Sequence, residues 1–275
     1  MIRLDHYPSQ WKCAEIIMIP KPNKPENCAS AYHPISLLVT FSKIFGKISL
    51  KRMLPVLEVQ NILPEHEFEF KRGHGTPELC HRIVKIITSA FECKQYCAGV
   101  FLDVKKAFDK VWHPVLLYKI KKWFPAPYYR LIKSFLSSLT FYVKEKDAFS
   151  ELYSNGAVLY TIFTADLPIA NGLEVETYAD DTAFIATSFN PSDASLHLQE
   201  QLNIVEKWLK NWKIEVNTQK SVQITFTLRT EKCPTVRLNG SIIPKIETVK
   251  YLGLYLDRRL TWKIHIKEKT KQLKF

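Results

Sequence analysis

Glycine is scarce in this 275-residue chain, which holds eight where ordinary usage of about 7% would supply about twice as many. Repeats, low-complexity tracts and Ser/Gly linkers are missing too, so no composition change marks a domain boundary or a repeat array. The opening stretch MIRLDHYPSQWKCAEIIMIP lacks the basic start, apolar middle and small-residue end of a signal peptide. The longest apolar run, AVLYTIFTA at 157–165, is about half of what a membrane span needs, which predicts no membrane partner; localisation within the cell, cytoplasm or nucleus, is left open by the sequence. Six cysteines, at 13, 28, 80, 93, 97 and 233, follow no disulfide framework and fit reduced thiols. Cys93 and Cys97 are spaced to share a helix face and Cys80 adjoins His81, but no second pair completes a zinc tetrad.

One further absence is local. Residues 151–200 contain no Lys or Arg and carry a net −8, while 101–150 carries +6 and 201–275 carries +10, within an overall +12. An acidic patch between basic flanks suits a metal site set in a groove that binds a polyanion. The patch contains TYADDTAFI, 177–185, where two adjacent aspartates sit inside a run that otherwise reads as a buried strand hairpin. Neighbouring carboxylates repel, and stripping water from either is costly unless a cation replaces it.

What is present is a globular chain, 46% hydrophobic and long enough for a sizeable core. AEIIMIPKPNKP (14–25) reads as a strand entering a basic, Pro-rich turn, and ISLLVTFSKIFGKISLKRML (35–54) has helical spacing at Leu38, Phe41, Phe45 and Ile48. AGVFLDV (98–104) is a short apolar strand ending in Asp103, and a mostly helical stretch broken by FPAP (124–127) follows to about 139. TYADDTAFIATS predicts a hairpin. Asn190-Pro191 supplies a cap and first-turn proline for an amphipathic helix over 192–212, marked by Leu198, Leu202, Val205, Leu209 and Trp212. VQITFTL (222–228) and VKYLGLYL (249–256) read as strands, and Asn239-Gly240 as a two-residue hairpin turn. Distant strands with helices between them predict an α+β layer.

Asp103 ends one apolar strand, and of Asp180 and Asp181 one would face it while the other reaches from the tip. Three convergent oxygen ligands are what two Mg²⁺ ions need, with Mn²⁺ as a substitute. Such ions promote phosphoryl transfer by activating a hydroxyl and neutralising the leaving oxygen. A plain turn also explains a lone Asp pair, so the context has to decide.

The context carries a resemblance. GVFLDVKKAFDKVWH (99–113) with TYADDTAFIA resembles the catalytic core of the reverse transcriptases of non-LTR retrotransposons of the jockey or LINE type. IPKPNKP with AYHPISLL (19–38), LPEHEFEFKRGHGT (63–76), WLKNWKIEVNTQKSVQITFT (208–227) and VKYLGLYLDRRLTWKIHI (249–266) resemble further blocks of that family in the same order. The resemblance implies a right-hand polymerase fold of α+β class, with palm and fingers, an antiparallel palm sheet backed by helices, and a truncated thumb. It divides the chain into fingers elements at 1–97, a palm core at 98–248, and a primer-grip hairpin with the start of a thumb at 249–275.

It also implies roles for single residues. Asp103, Asp180 and Asp181 match the carboxylate triad, with Asp103 and Asp180 as direct metal ligands and Val104 lending its carbonyl. Phe108 matches the aromatic beneath the incoming sugar, which selects deoxynucleotides. Lys21 and Lys24 fall in the basic fingers block near phosphates or template. Lys220 matches the lysine assisting pyrophosphate departure, Tyr178 opens the aspartate motif, and Leu252 and Gly253 lie in the hairpin that grips the primer. RNA template, DNA primer and deoxynucleoside triphosphates are the implied partners; the sequence does not encode an oligomeric state.

Three positions depart from the family pattern. Only NGA (155–157) stands where the family has a Gly-Val-Pro-Gln-Gly-Ser-type loop against the templating pair. His33 replaces an always-charged arginine, and Glu69 replaces a glycine, putting a carboxylate near nucleic acid. The expectation is an RNA-directed DNA polymerase domain, partial and weakly active or inactive. The alternative is a catalytically inactive nucleic-acid-binding relic of a retrotransposon.

Overall fold

The computed structural model describes residues 6–20, 31–68, 73, 75–105, 107, 111–145, 148–149 and 160–273. In chain order the elements are β1 Cys13–Pro20, β2 Tyr32–Leu38, α1 Thr40–Val59, α2 Thr76–Glu92, β3 Tyr96–Leu102, α3 His113–Trp123, α4 Ala126–Leu136, β4 Thr140–Glu145, β5 Ala148–Phe149 and α5 Tyr160–Thr164. Then come β6 Glu174–Tyr178, β7 Asp181–Ser188, α6 Pro191–Trp212, β8 Val222–Phe226, β9 Arg237–Leu238, β10 Ser241–Ile242, β11 Thr248–Tyr251, β12 Leu254–Asp257 and α7 Lys263–Gln272. None of the helices is long and apolar enough to cross a membrane, among the described residues.

The chain forms two compact units. The first comprises Met1–Leu63 and Val111–Phe163, and the second Pro64–Lys110 and Thr164–Phe275. In the first, β1 lies between an antiparallel β2 and a parallel β4. An aromatic group gathers around Tyr7, whose ring meets Phe45 at 5.5 Å and Phe135 at 4.9 Å. Here the sequence expectation fails in part: Ile35 to Leu38 belong to a strand and the helix starts at Thr40. Pairing of Ile35 with Ile17 and of Leu38 with Ala14 commits those residues to extended backbone before the helical period begins.

The second unit is built on a sheet in the order β6-β7-β3-β8, with neighbours antiparallel. Every residue of β3 is buried, as expected of a central strand covered on both faces. One face packs on α6 through Leu198, Leu202, Val205 and Leu209. The other packs on α2 through Leu79, Ile83 and Ile87. Gly99 lies on the α2-side face, where a Cβ would be 3.2 Å from the Phe101 ring and 3.4 Å from that of Phe226.

Helix α6 starts as expected, with the Asn190 side chain accepting from the Ser192 N–H at 2.9 Å. Helix α2 was not read from the sequence, although its apolar residues recur at helical spacing. It ends at Glu92, so Cys93 and Cys97 do not share a helix; Cys97 lies in β3. The strand that the apolar pattern gave over 249–256 is instead a hairpin, at the place where the resemblance implied one, because Leu252 and Gly253 take φ of 45° and 85° and reverse the chain. The Asn239-Gly240 turn forms as expected, between β9 and β10.

Candidate active site

Strand polarity brings the acidic residues together. The β3–β7 register ends at Leu102 opposite Thr182, so the next residue on β3 is Asp103 and the next on β7 is Asp181. Tyr178, the last residue of β6, pairs with Asp181 across a two-residue turn of Ala179 and Asp180. Ala179 takes a positive φ of 54°, a conformation costing a residue with a Cβ roughly 1 kcal/mol. Asp180, reaching from the turn, thus shares one edge of the sheet with Asp181 and Asp103.

The chain around Asp103 is held from the β8 side. Its N–H donates to the Ser221 hydroxyl at 3.1 Å, and its carbonyl accepts from the Asn217 N–H at 2.7 Å. Val104 bridges Val216, and the bonds flanking it run through Asp103 and Lys105, leaving the Val104 carbonyl outside that ladder. Lys220 is exposed on the turn leading into β8, at the same edge. Leu252 and Gly253 form the β11–β12 turn, and Tyr251 just before it donates from its hydroxyl to the Asp181 carbonyl at 3.2 Å. Lys21, Lys24, Phe108, Glu69 and residues 155–157 lie outside the described residues, as does the side chain of His33.

The carboxyls record one another's charge. Asp181 is pushed up to about 6, by loss of water first and then by Asp180 and Asp103. Asp180 is also raised by burial, against the pull of its own backbone hydrogen bond and with a push from Asp103. Asp181 is nonetheless exposed. Repulsion is therefore the part of its shift that an arriving cation would relieve.

As donors these residues suit Mg²⁺, being hard oxygens with uncompensated mutual repulsion. Among the described residues no group of three His, Cys, Asp or Glu side chains closes into a metal cluster. One or two carboxylates completed by substrate phosphates are the usual holding of Mg²⁺, and this edge fits that open arrangement.

A second acidic group, missed in the sequence, lies behind the hairpin. Glu176 of β6 is fully buried, with Arg82 Nε of α2 at 2.5 Å from its Oε1. The guanidinium is the carboxylate's charge partner there, and the other carboxylate oxygen has no hydrogen-bond partner among the described residues. Burial, opposed by Arg82 and reinforced by Glu174, raises Glu176 to about 7. Residues 66–68 run beside β6: Thr177 donates from its N–H to the His66 carbonyl at 2.8 Å and from its hydroxyl to Glu67 at 3.0 Å. Alternation along VETY was the legible sign that Glu176 shares a face with Tyr178.

An antiparallel sheet backed by helices, with aspartates gathered at one edge, is the palm arrangement of a polymerase. Apo telomerase from Candida tropicalis, truncated from the C-terminal domain, superposes with a TM-score of 0.60 over 92% of this chain and 55% of that one, at 15% identity, a likeness of fold. The chain belongs to the reverse transcriptase (RNA-dependent DNA polymerase) family, whose pattern matches residues 19–256. It is similar to the probable RNA-directed DNA polymerase from transposon BS of Drosophila melanogaster, at 40% identity over 99% of this chain and 32% of that protein. It is also similar to the RNA-directed DNA polymerase from mobile element jockey of the same fly, at 38% identity over 97% of this chain and 31% of the relative. The chain thus spans about a third of the length of these curated relatives.

Proposed function

We propose that this chain is the reverse transcriptase domain of a non-LTR retrotransposon, extending a DNA primer along an RNA template with deoxynucleoside triphosphates. The observation that carries this reading is the meeting of Asp103, Asp180 and Asp181 at one sheet edge, with the charge of Asp103 felt at both others. In this reading Asp103, Asp180 and the Val104 carbonyl hold two Mg²⁺ ions, and Asp181 adds negative charge beside them. Held there, such ions would supply Lewis-acid chemistry, favouring ionisation of the primer 3′-hydroxyl and offsetting charge on the leaving pyrophosphate.

The remaining residues bind, orient and exclude. Tyr178, Leu252 and Gly253 seat the primer end, and Phe108 rejects a ribose 2′-hydroxyl. Lys220 holds a proton for the departing pyrophosphate, while Lys21 and Lys24 meet phosphates or template. Residues 1–97 then serve as fingers, 98–248 as palm, and 249–275 as primer grip leading toward a thumb.

The test is extension of oligo(dT) on poly(rA) with dTTP and Mg²⁺, beside Asp180→Asn. Extension by the unaltered chain that the substitution abolishes supports the polymerase. Duplex binding at low salt without extension refutes it and identifies a binding-only relic.

A further inference from the structure

The turn carrying Asp180 and Asp181 is strained at Ala179 and stands at the exposed edge of its sheet, so something must hold it. Its strands are well anchored: β7 pairs along its length with β3, and β6 is flanked by residues 66–68. The turn itself is less so. Among the described residues, the Tyr251 hydroxyl provides the side-chain hydrogen bond that reaches 179–181 from outside the hairpin, at 3.2 Å to the Asp181 carbonyl.

Tyr251 is well placed for that task. It is 4% exposed, and its ring lies 5.0 Å from that of Phe101 in the central strand. Leu252 and Gly253 follow it directly, both with positive φ, so the phenol and the second turn share one stiff corner. Tyr178 and Leu252 pack against the same apolar layer beneath.

We propose that Tyr251 is a positioning residue for the aspartate turn. Its hydroxyl fixes the Asp181 carbonyl and links that turn to the Leu252–Gly253 turn, so that a duplex end seated on one steadies the other. The idea rests on the polymerase reading above for the identity of the duplex, and on the geometry of the hairpins for the link itself. A link of this kind is reciprocal: whatever orders the β11–β12 turn must also order the carboxylates, and the reverse.

The test compares wild type with Tyr251→Phe, which keeps the ring and deletes only the hydroxyl; Tyr255→Phe in the same hairpin serves as control. Amide hydrogen exchange across 178–183 is expected to speed up about three- to tenfold in Tyr251→Phe, with 222–226 and the control unchanged. Poly(rA)/oligo(dT) is expected to slow exchange at 178–183 in wild type and to lose most of that protection in Tyr251→Phe, at near-equal duplex affinity. In primer extension the loss should fall on kcat rather than KM. Unchanged exchange or undiminished protection in Tyr251→Phe overturns the proposal, even if extension proceeds. Wild type that binds duplex and shows the exchange difference without extending refutes the polymerase reading but upholds the link. Failure to bind duplex refutes the polymerase reading, and the exchange difference between the free proteins then decides the link alone.

Discussion

The Ser221 hydroxyl accepts from the Asp103 N–H at 3.1 Å and donates to the Asn217 carbonyl at 2.9 Å, joining the end of β3 to the turn before β8. Ser221 is fully buried, so water cannot replace it. Ser221→Ala strands the Asp103 N–H and the hydroxyl's share of the Asn217 carbonyl. The expected cost is about 1–3 kcal/mol, read as a lower urea midpoint at unchanged m, with extension falling alongside.

The raised Asp181 carboxyl offers a test of mutual charge at the sheet edge. Asp180 pushes on it more strongly than Asp103 does. Carboxyl carbon NMR should therefore find Asp181 titrating lower than about 6 in both Asp180→Asn and Asp103→Asn, with the larger drop in the first. No movement in either variant would mean that burial alone sets the shift.

Glu176 makes stability depend on pH. Its folded value of about 7 lies above the ordinary 4.5, so between those limits the folded chain binds a proton that the unfolded chain does not. Stability from this group is full below pH 4.5 and is lost as pH rises toward 7. Glu176→Gln should flatten that decline and gain up to about 3 kcal/mol at pH 8, less whatever Arg82 loses as its partner. Denaturation series at pH 5 and pH 8 measure it. Asp181 contributes to the same window, so some slope should survive.

Asp257 acts in the opposite sense. Burial favours its neutral form, yet the N–H groups of Thr261, Arg259 and Trp262, with the Thr261 hydroxyl, hold its carboxyl below the usual range. Its stabilisation is present above the ordinary aspartate value and is lost as pH falls through the depressed one. Asp257→Ala should cost about 2–4 kcal/mol and loosen the passage from β12 into α7. In acid titration the variant should lose the corresponding limb.

Much of this was legible in the residues. The hairpin around Asp180 and Asp181, the strand into Asp103, the Asn190 cap and the Asn239-Gly240 turn all rest on local chemistry that tertiary contacts did not override. Ile35 to Leu38 misled because their apolar spacing suits a helix and a half-buried strand alike, and only β1 decides between them. At Leu252 the residue pattern alone reads as one strand, since leucine seldom signals a positive φ, and only the family resemblance implied the hairpin. Ser221, Tyr251 and Glu176 could not be singled out, because each acts through a partner distant in sequence.

The assembly of the second unit from two separated pieces has a consequence for biosynthesis. Strand β3 is complete at residue 102, but its neighbours β7 and β8 end at residues 188 and 226. At about 5–20 residues per second, the fully apolar centre of the sheet waits about 6–25 s for its second partner. Until β7 is made, Val100, Phe101 and Leu102 have no sheet to join. The nascent chain is then most vulnerable to aggregation, before the aspartate edge exists.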